Sequence, residues 1–112
     1  MSVYLIARFS IHDRAVYDRY EAGFGEVWER HAVPVGGKIL SVDEAPKVLQ
    51  GDFTETRSVL MEFPDPASAY AWMGSEDYRA IAAHRLAGSD GTVVMVRSFD
   101  GVPEDRSQGD IS

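Results

Sequence analysis

A carboxylate, a phenol and a guanidinium are the side chains in this sequence best suited to hold a small polar molecule. Glu62 stands near the end of a predicted strand, and Tyr78 and Arg85 share one face of a predicted helix. Such a set can orient a polar or anionic ligand by hydrogen bonds and charge. The same residues can also serve the fold alone, because Glu62 and Arg85 can pair with each other. We expect all three to be ligand-binding candidates, whereas the spacing identifies no catalytic residue.

His31 is a further candidate, because it ends a predicted helix whose apolar stripe includes Trp28. There it can act as a general base or bond to the last carbonyl groups of the helix. None of the three histidines has a second histidine or an acidic residue at the spacing typical of a zinc site. We therefore expect no metal.

Aromatic side chains form the other candidate set. Trp28 and Trp72 can line an apolar pocket between a sheet and its helices, together with Tyr17, Tyr20 and Tyr70. Aromatic residues at helical spacing are also typical of an ordinary core, so both interpretations are open here.

Composition limits the classes of protein that this chain can belong to. Its 112 residues, 45% of them hydrophobic, suffice for one domain. A formal net charge of −7 argues against nucleic-acid binding, which needs clustered Lys and Arg. The absence of cysteine excludes disulfides, thiolate nucleophiles and Cys-ligated metals. Without a secretory signal, a membrane span, a phosphate-binding glycine loop or a nucleophile elbow, we expect a cytoplasmic protein without a membrane or cofactor partner.

Alternating and helical patterns predict the elements that position these residues. Asp13, Asp65 followed by Pro66, and Ser75 are predicted to begin helices, and Asp90–Gly91 is predicted to form a turn. In order, the pattern predicts a strand at 3–9, a helix to His31, strands at 38–42 and 57–63, helices at 65–73 and 75–88, and a strand at 92–99.

The order β-α-β-β-α-β is typical of a ferredoxin-like α+β domain, a four-stranded antiparallel sheet with helices on one face. We expect this domain to span residues 1–101 and residues 102–112 to form a flexible polar tail. The first, third and last strands are apolar on both sides, so the uncovered face of the sheet needs a partner. A homodimer through that face is the simplest solution.

Four segments, YLIARFSIHD, VLQGD, VLMEFPDPASAYAWMGSEDYRAIAAHR and VVMVRSFDG, resemble the family called domain of unknown function 1330 (DUF1330). The resemblance covers about residues 3–101. It implies a dimeric α+β barrel, related at superfamily level to antibiotic-biosynthesis monooxygenases, and it brings no established reaction.

Several functions are therefore open. One is binding of a small polar or aromatic ligand in a pocket between sheet and helices, and another is a cofactor-independent monooxygenase- or isomerase-like enzyme. A haem-handling barrel is favoured by Trp72 and His84 and opposed by Ala7 and Arg8, which stand where such a barrel would have an asparagine. The last is a dimeric interaction module without catalysis.

Overall fold

The computed structural model describes residues 2–101, so the predicted tail at 102–112 lies outside the described residues. Each predicted element is present. The first two strands extend slightly further than predicted, and the last strand runs from Ser89 to Arg97 instead of from 92 to 99. In chain order the elements are β1 (Val3–Ile11), α1 (Arg14–His31), β2 (Lys38–Asp43), β3 (Arg57–Phe63), α2 (Pro66–Met73), α3 (Glu76–Gly88) and β4 (Ser89–Arg97), with 3-10 turns at Val33–Val35 and Phe99–Gly101.

The four strands form one antiparallel sheet in the order β2-β3-β1-β4. In the middle of the sheet, Leu5 of β1 lies between Met61 of β3 and Met95 of β4. Helices α1, α2 and α3 pack on one face, because side chains from that face and from the helices make up a single buried core. This is the predicted α+β arrangement.

Each helix begins at the residue that the sequence predicts. The Asp65 carboxylate accepts a hydrogen bond from the Ser68 amide at 2.7 Å, and the Ser75 hydroxyl accepts one from the Tyr78 amide at 3.2 Å. Asp13 accepts the equivalent bond at the start of α1. These bonds satisfy amides that the first helical turn leaves unpaired. Among the residues that the structure describes, no helix is long and apolar enough to cross a membrane.

α1 packs against α3 at Gly23, where the Ile81 side chain leaves no room for a Cβ atom. A Cβ atom added at Gly23 would lie 2.8 Å from Cγ2 of Ile81, whereas one added at Gly25 would meet nothing within 4 Å. Only the first of these two glycines is therefore needed for packing.

The predicted turn at Asp90–Gly91 is wrong, because both residues lie inside β4. α3 ends at Gly88, whose carbonyl oxygen accepts a hydrogen bond from the His12 amide at 3.0 Å. This bond brings the end of α3 to the end of β1. Strand pairing then begins at once, with Ser89 opposite Ile11.

The sheet face away from the helices is apolar in its middle and polar towards its ends, where Arg8, Ser58 and Glu62 lie, and no described element covers it. Its register places these side chains on it: Tyr4, Ile6, Leu60, Val94 and Val96. Val94 is 49% exposed and Val96 is 38% exposed. We call this surface the open face.

Candidate functional site

A cavity of about 200 Å³ lies on the helix side of the sheet, between the strands and the helices. Residues from all four strands and all three helices line it, and most of its wall is hydrocarbon or aromatic. The apolar wall includes Ala7, Phe9, Phe24, Val59, Met61 and Met73.

The side of the cavity closest to solvent lies beside β2. Ile39 and Val42 belong to the cavity wall, yet they are 42% and 50% exposed. Both point to the helix side, since they pair with Met61 and Val59 of β3. β2 is an edge strand that the helices leave uncovered, so a small molecule can approach the cavity there.

One end of the cavity is polar and contains Tyr17, Glu21 and Arg57. Arg57 Nη1 donates a hydrogen bond to Glu44 Oε1 at 2.9 Å and also lies 2.9 Å from Glu21 Oε1. The second contact is not aligned as a hydrogen bond, so Glu21 Oε1 has no hydrogen-bond partner among the described residues. The buried Tyr17 hydroxyl and the buried Arg57 Nε likewise have no hydrogen-bond partner within residues 2–101.

Charges around Tyr17 act in both directions on its hydroxyl. Burial raises the pKa of the Tyr17 phenol, and the cation of Arg57, whose guanidinium carbon lies 5.6 Å from the ring centre, opposes that rise. Glu21 adds to the increase, whereas Arg85 and Arg14 act against it. The phenol therefore stays protonated and can donate its hydrogen.

Glu44 connects this end of the cavity to the surface. Arg14 Nη2 donates a hydrogen bond to Glu44 Oε1 at 3.2 Å, and Arg14 Nε lies 3.0 Å from Asp18. The hydrogen bond from Arg14 and its charge, reinforced by Arg57, lower the pKa of the Glu44 carboxyl. Glu44 thus stays ionised and holds Arg57 in place.

The Tyr20 and Tyr78 hydroxyl groups form a second polar pair in the cavity wall, with their oxygens 3.2 Å apart. Burial, followed by the neighbouring Tyr78, raises the pKa of Tyr20. The Arg85 guanidinium carbon lies 5.0 Å from the centre of the Phe9 ring and 5.8 Å from that of Tyr20. Of the predicted candidates, Tyr78 and Arg85 are therefore brought together, through Tyr20.

Glu62 does not join them. It pairs across the strands with Tyr4 of β1 and Lys38 of β2, which places it on the open face, on the other side of the sheet from Arg85. In the part of the chain that the structure describes, no ion pair connects Glu62 with Arg85. The predicted trio is thus not one constellation.

His31 pairs with an acidic residue of the neighbouring helix. Its Nε2 lies 2.7 Å from Asp77 Oδ2, and Arg30 Nη1 lies 3.0 Å from the same oxygen. The contacts tie the end of α1 to the first turn of α3, away from the cavity wall. Among residues 2–101, no three or more His, Asp or Glu side chains are close enough to hold a metal ion.

Trp28 and Trp72 lie in the core next to the cavity, behind Phe24. Their ring centres are 4.9 Å apart, edge to face, and each is 5.6 Å from the ring centre of Phe24. Neither tryptophan belongs to the cavity wall, whereas Phe24 does. Their role in binding a ligand stays a prediction.

Three important residues of the polar end, Glu21, Arg57 and Glu44, were not predicted. Two of them carry a signal in the sequence. Arg57 stands two residues before the buried Val59 and therefore lies on the same side of β3, facing the core, where an arginine is unusual. Glu21 follows Tyr17 by one helical turn on the apolar stripe of α1.

The sheet order and the one-sided helices define an α+β protein with a ferredoxin-like fold, and solved structures share it. A protein of unknown function from Rhodopseudomonas palustris, RPA0582, has 19% identity and a TM-score of 0.70, covering 88% of this chain and 82% of its own. A dimeric ferredoxin-like protein of unknown function from Jannaschia sp. CCS1 has 14% identity and a TM-score of 0.66, covering 88% and 100%. SnoaB, a cofactor-independent oxygenase from Streptomyces nogalater, has 14% identity and a TM-score of 0.56, covering 92% and 98%.

The family assignment is more specific than the fold. The model of the domain of unknown function DUF1330 matches residues 2–99, and the chain belongs to that family. This confirms the resemblance seen in the sequence. No curated protein matches the chain significantly.

Proposed function

We propose that the protein binds a small molecule, about the size of one substituted aromatic ring, in the cavity between sheet and helices. The observation that carries this proposal is an apolar cavity with a polar end whose Tyr17 hydroxyl and Arg57 Nε have no partner among the described residues. An apolar cavity of roughly 150 Å³ accommodates benzene, so about 200 Å³ leaves room for one substituent. Each unpaired buried polar group costs about 1–3 kcal/mol, which a ligand can recover.

Filling the cavity tests the proposal. Ala7 lines the cavity, so Ala7→Leu should occupy part of it and abolish the thermal shift that monocyclic aromatic compounds cause in the wild type. Ala83→Leu makes the same change on the exposed side of α3 and should leave binding unchanged. Ligand-induced stabilisation of folded Ala7→Leu equal to that of the wild type would contradict the proposal.

A second candidate is oxidation of the bound molecule by O₂ without a cofactor. Two observations favour it. The protein shares its fold with the cofactor-independent oxygenase SnoaB, and Glu21 has a buried carboxylate oxygen without a hydrogen bond among the described residues. Glu21 would take the proton of an acidic phenol or enol, and the resulting anion would pass one electron to O₂. The substrate radical and superoxide would combine to a peroxide anion, to which Glu21 returns the proton. Removal and return of a proton by Glu21 would equally serve an isomerase.

Oxygen uptake separates this candidate from simple binding. Purified protein should consume O₂ with a hydroquinone or enol substrate, and Glu21→Gln should remove the activity while the substrate still binds. Uptake by Glu21→Gln at the wild-type rate would reject Glu21 as the base. If the protein binds the substrate but neither consumes O₂ nor isomerises it, the second candidate is rejected and the binding function remains.

We also infer that the protein is a homodimer formed through the open face. The similar structure from Jannaschia sp. is described as dimeric, and the open face exposes Val94 and Val96 in the single chain. An exposed apolar surface of this kind is typical of a subunit interface. The polar Glu62 on the same face would then lie at the interface.

Light scattering tests the dimer. Val94→Lys should reduce the mass to that of a monomer, whereas Leu86→Lys, at an apolar and even more exposed position on α3, should leave the dimer intact. A wild-type monomer at micromolar concentration would contradict the inference. A dimer that binds none of the compounds above would favour an interaction module, and the cytoplasmic location stays a prediction.

A further inference from the structure

We propose that the molecule bound in this cavity carries a carboxylate and that Arg57 binds it with one edge of its guanidinium group. The inference rests on the proposed function, since it requires that the cavity holds a ligand. It adds the chemical class of that ligand and the residue that selects it.

Arg57 uses only one of its nitrogens for the protein's own carboxylates. Both Glu21 and Glu44 approach Nη1, each at 2.9 Å. Within residues 2–101, no hydrogen bond involves Nη2, and the buried Nε has no partner. Nε and Nη2 form the side edge of the planar guanidinium, whose two parallel N–H groups match the two oxygens of a carboxylate.

The position of this edge is fixed before any ligand binds. The Arg57 side chain is 12% exposed, and it is held by Glu44 at one end and by the face of the Tyr17 ring. The side chain therefore has little freedom to lose on binding, which favours affinity. The unpaired Tyr17 hydroxyl, in the same wall, offers a further donor to one carboxylate oxygen.

The charges around the polar end favour an anion. Six charged side chains surround it, three of them more than half exposed (Arg14, Asp18, Glu44) and three partly or largely buried (Glu21, Arg57, Arg85). Water screens the outer three, so their net charge of about −1 has a weak effect. The inner three have two cations and one carboxylate, and a single carboxylate ligand would balance them.

Benzoate and benzamide provide a matched test, because they have nearly the same shape and only benzoate is charged. We expect calorimetry to show that the wild type binds benzoate at least about tenfold more tightly than benzamide. Arg57→Lys keeps the charge and loses the two-pronged edge, so benzoate should bind about tenfold more weakly while benzamide is little changed. Arg30→Lys makes the same change at the end of α1, away from the cavity wall, and is the matched control that should keep the preference for benzoate. Arg85→Lys tests the other inner arginine, whose buried Nε also has no partner among the described residues.

The outcomes separate the two proposals. If benzamide or toluene binds as tightly as benzoate, the carboxylate proposal is overturned and the binding function stands; if none of the three binds, both fall. A preference that survives Arg57→Lys and is lost in Arg85→Lys assigns the anchor to Arg85 and overturns the role of Arg57. Should Arg57→Lys fail to fold, the Nε–H signal of Arg57 in the wild type decides, because benzoate must shift it and benzamide must not.

Discussion

The hydroxyl oxygens of Tyr20 and Tyr78 lie 3.2 Å apart inside the core and connect α1 with α3. Tyr20→Phe removes one partner and leaves the Tyr78 hydroxyl buried and unpaired, so we expect a loss of about 1–3 kcal/mol of unfolding free energy. Urea denaturation measures it. Adding Tyr78→Phe removes the unpaired hydroxyl. The double variant should therefore lose clearly less unfolding free energy than the sum of the losses in the two single variants. Simple additivity would mean that the pair is not coupled.

Burial of Tyr20 predicts how stability depends on alkaline pH. The pKa of Tyr20 is raised above its ordinary value of 10.0, chiefly by burial. Above pH 10 the unfolded phenol loses its proton while the folded one keeps it, so the contribution to stability is complete below pH 10 and declines as the pH rises. Denaturation between pH 8 and about 11 should show this decline, and Tyr20→Phe should make it shallower. Tyr70→Phe, which removes an exposed phenol, is the control and should follow the wild-type curve.

The lowered pKa of Asp77 predicts how the stability of the fold depends on acidic pH. Hydrogen bonds from His31 and then from Arg30 lower the pKa of Asp77 below its ordinary value of 3.8. A lowered pKa contributes stability that is present above pH 3.8 and is lost as the pH falls through the folded value. Asp77→Asn should therefore be less stable than the wild type near neutrality, and the difference should disappear in strong acid.

The control for Asp77→Asn is Asp52→Asn, which removes a negative charge in an exposed loop. Because Asp77 is at the surface, raising the salt concentration should reduce the difference between Asp77→Asn and the wild type. A stability difference that is the same at pH 2 and pH 7 would show that the hydrogen bonds do not depend on the carboxylate charge.

Gly23 and Gly25 of α1 should respond in opposite directions to the same substitution. Gly23→Ala places a methyl group 2.8 Å from Ile81 and should destabilise the protein, since α1 and α3 must move apart. Gly25→Ala meets open space and should stabilise it by roughly 0.5–1 kcal/mol through helix propensity. Thermal unfolding of the two variants gives the comparison, and equal effects would contradict the close approach at Gly23.

Local signals made most of the fold predictable from the sequence. Asp65 followed by Pro66, and Ser75 after Gly74, are helix starts that depend only on neighbouring residues, and both are confirmed. The prediction of a turn at Asp90–Gly91 was wrong, because pairing with residues distant in sequence outweighs the local preference for a turn. Phe9 and Ser10 of β1 pair with these two residues and keep them extended.

The candidate site was harder to predict, because it depends on which side of the sheet each strand residue faces. Glu62 alternates with Met61, which is buried on the helix side, so Glu62 must face away from Arg85. The same alternation brings Arg57 to the helix side. Glu44 gave no comparable signal, since its contacts with Arg14 and Arg57 come from segments far apart in sequence.

α3 ends at Gly88 and β4 begins at the next residue, so no loop separates the two elements. Residues 44–56, in contrast, connect β2 to β3 without any helix or strand. A rigid junction fixes the rotation of α3, and so the location of Arg85, once β4 has paired with β1. Inserted peptides or new chain termini would break that coupling at Gly88. The connection near Leu49, which is 89% exposed, is instead the place where a label or fused domain can be attached without disturbing the cavity.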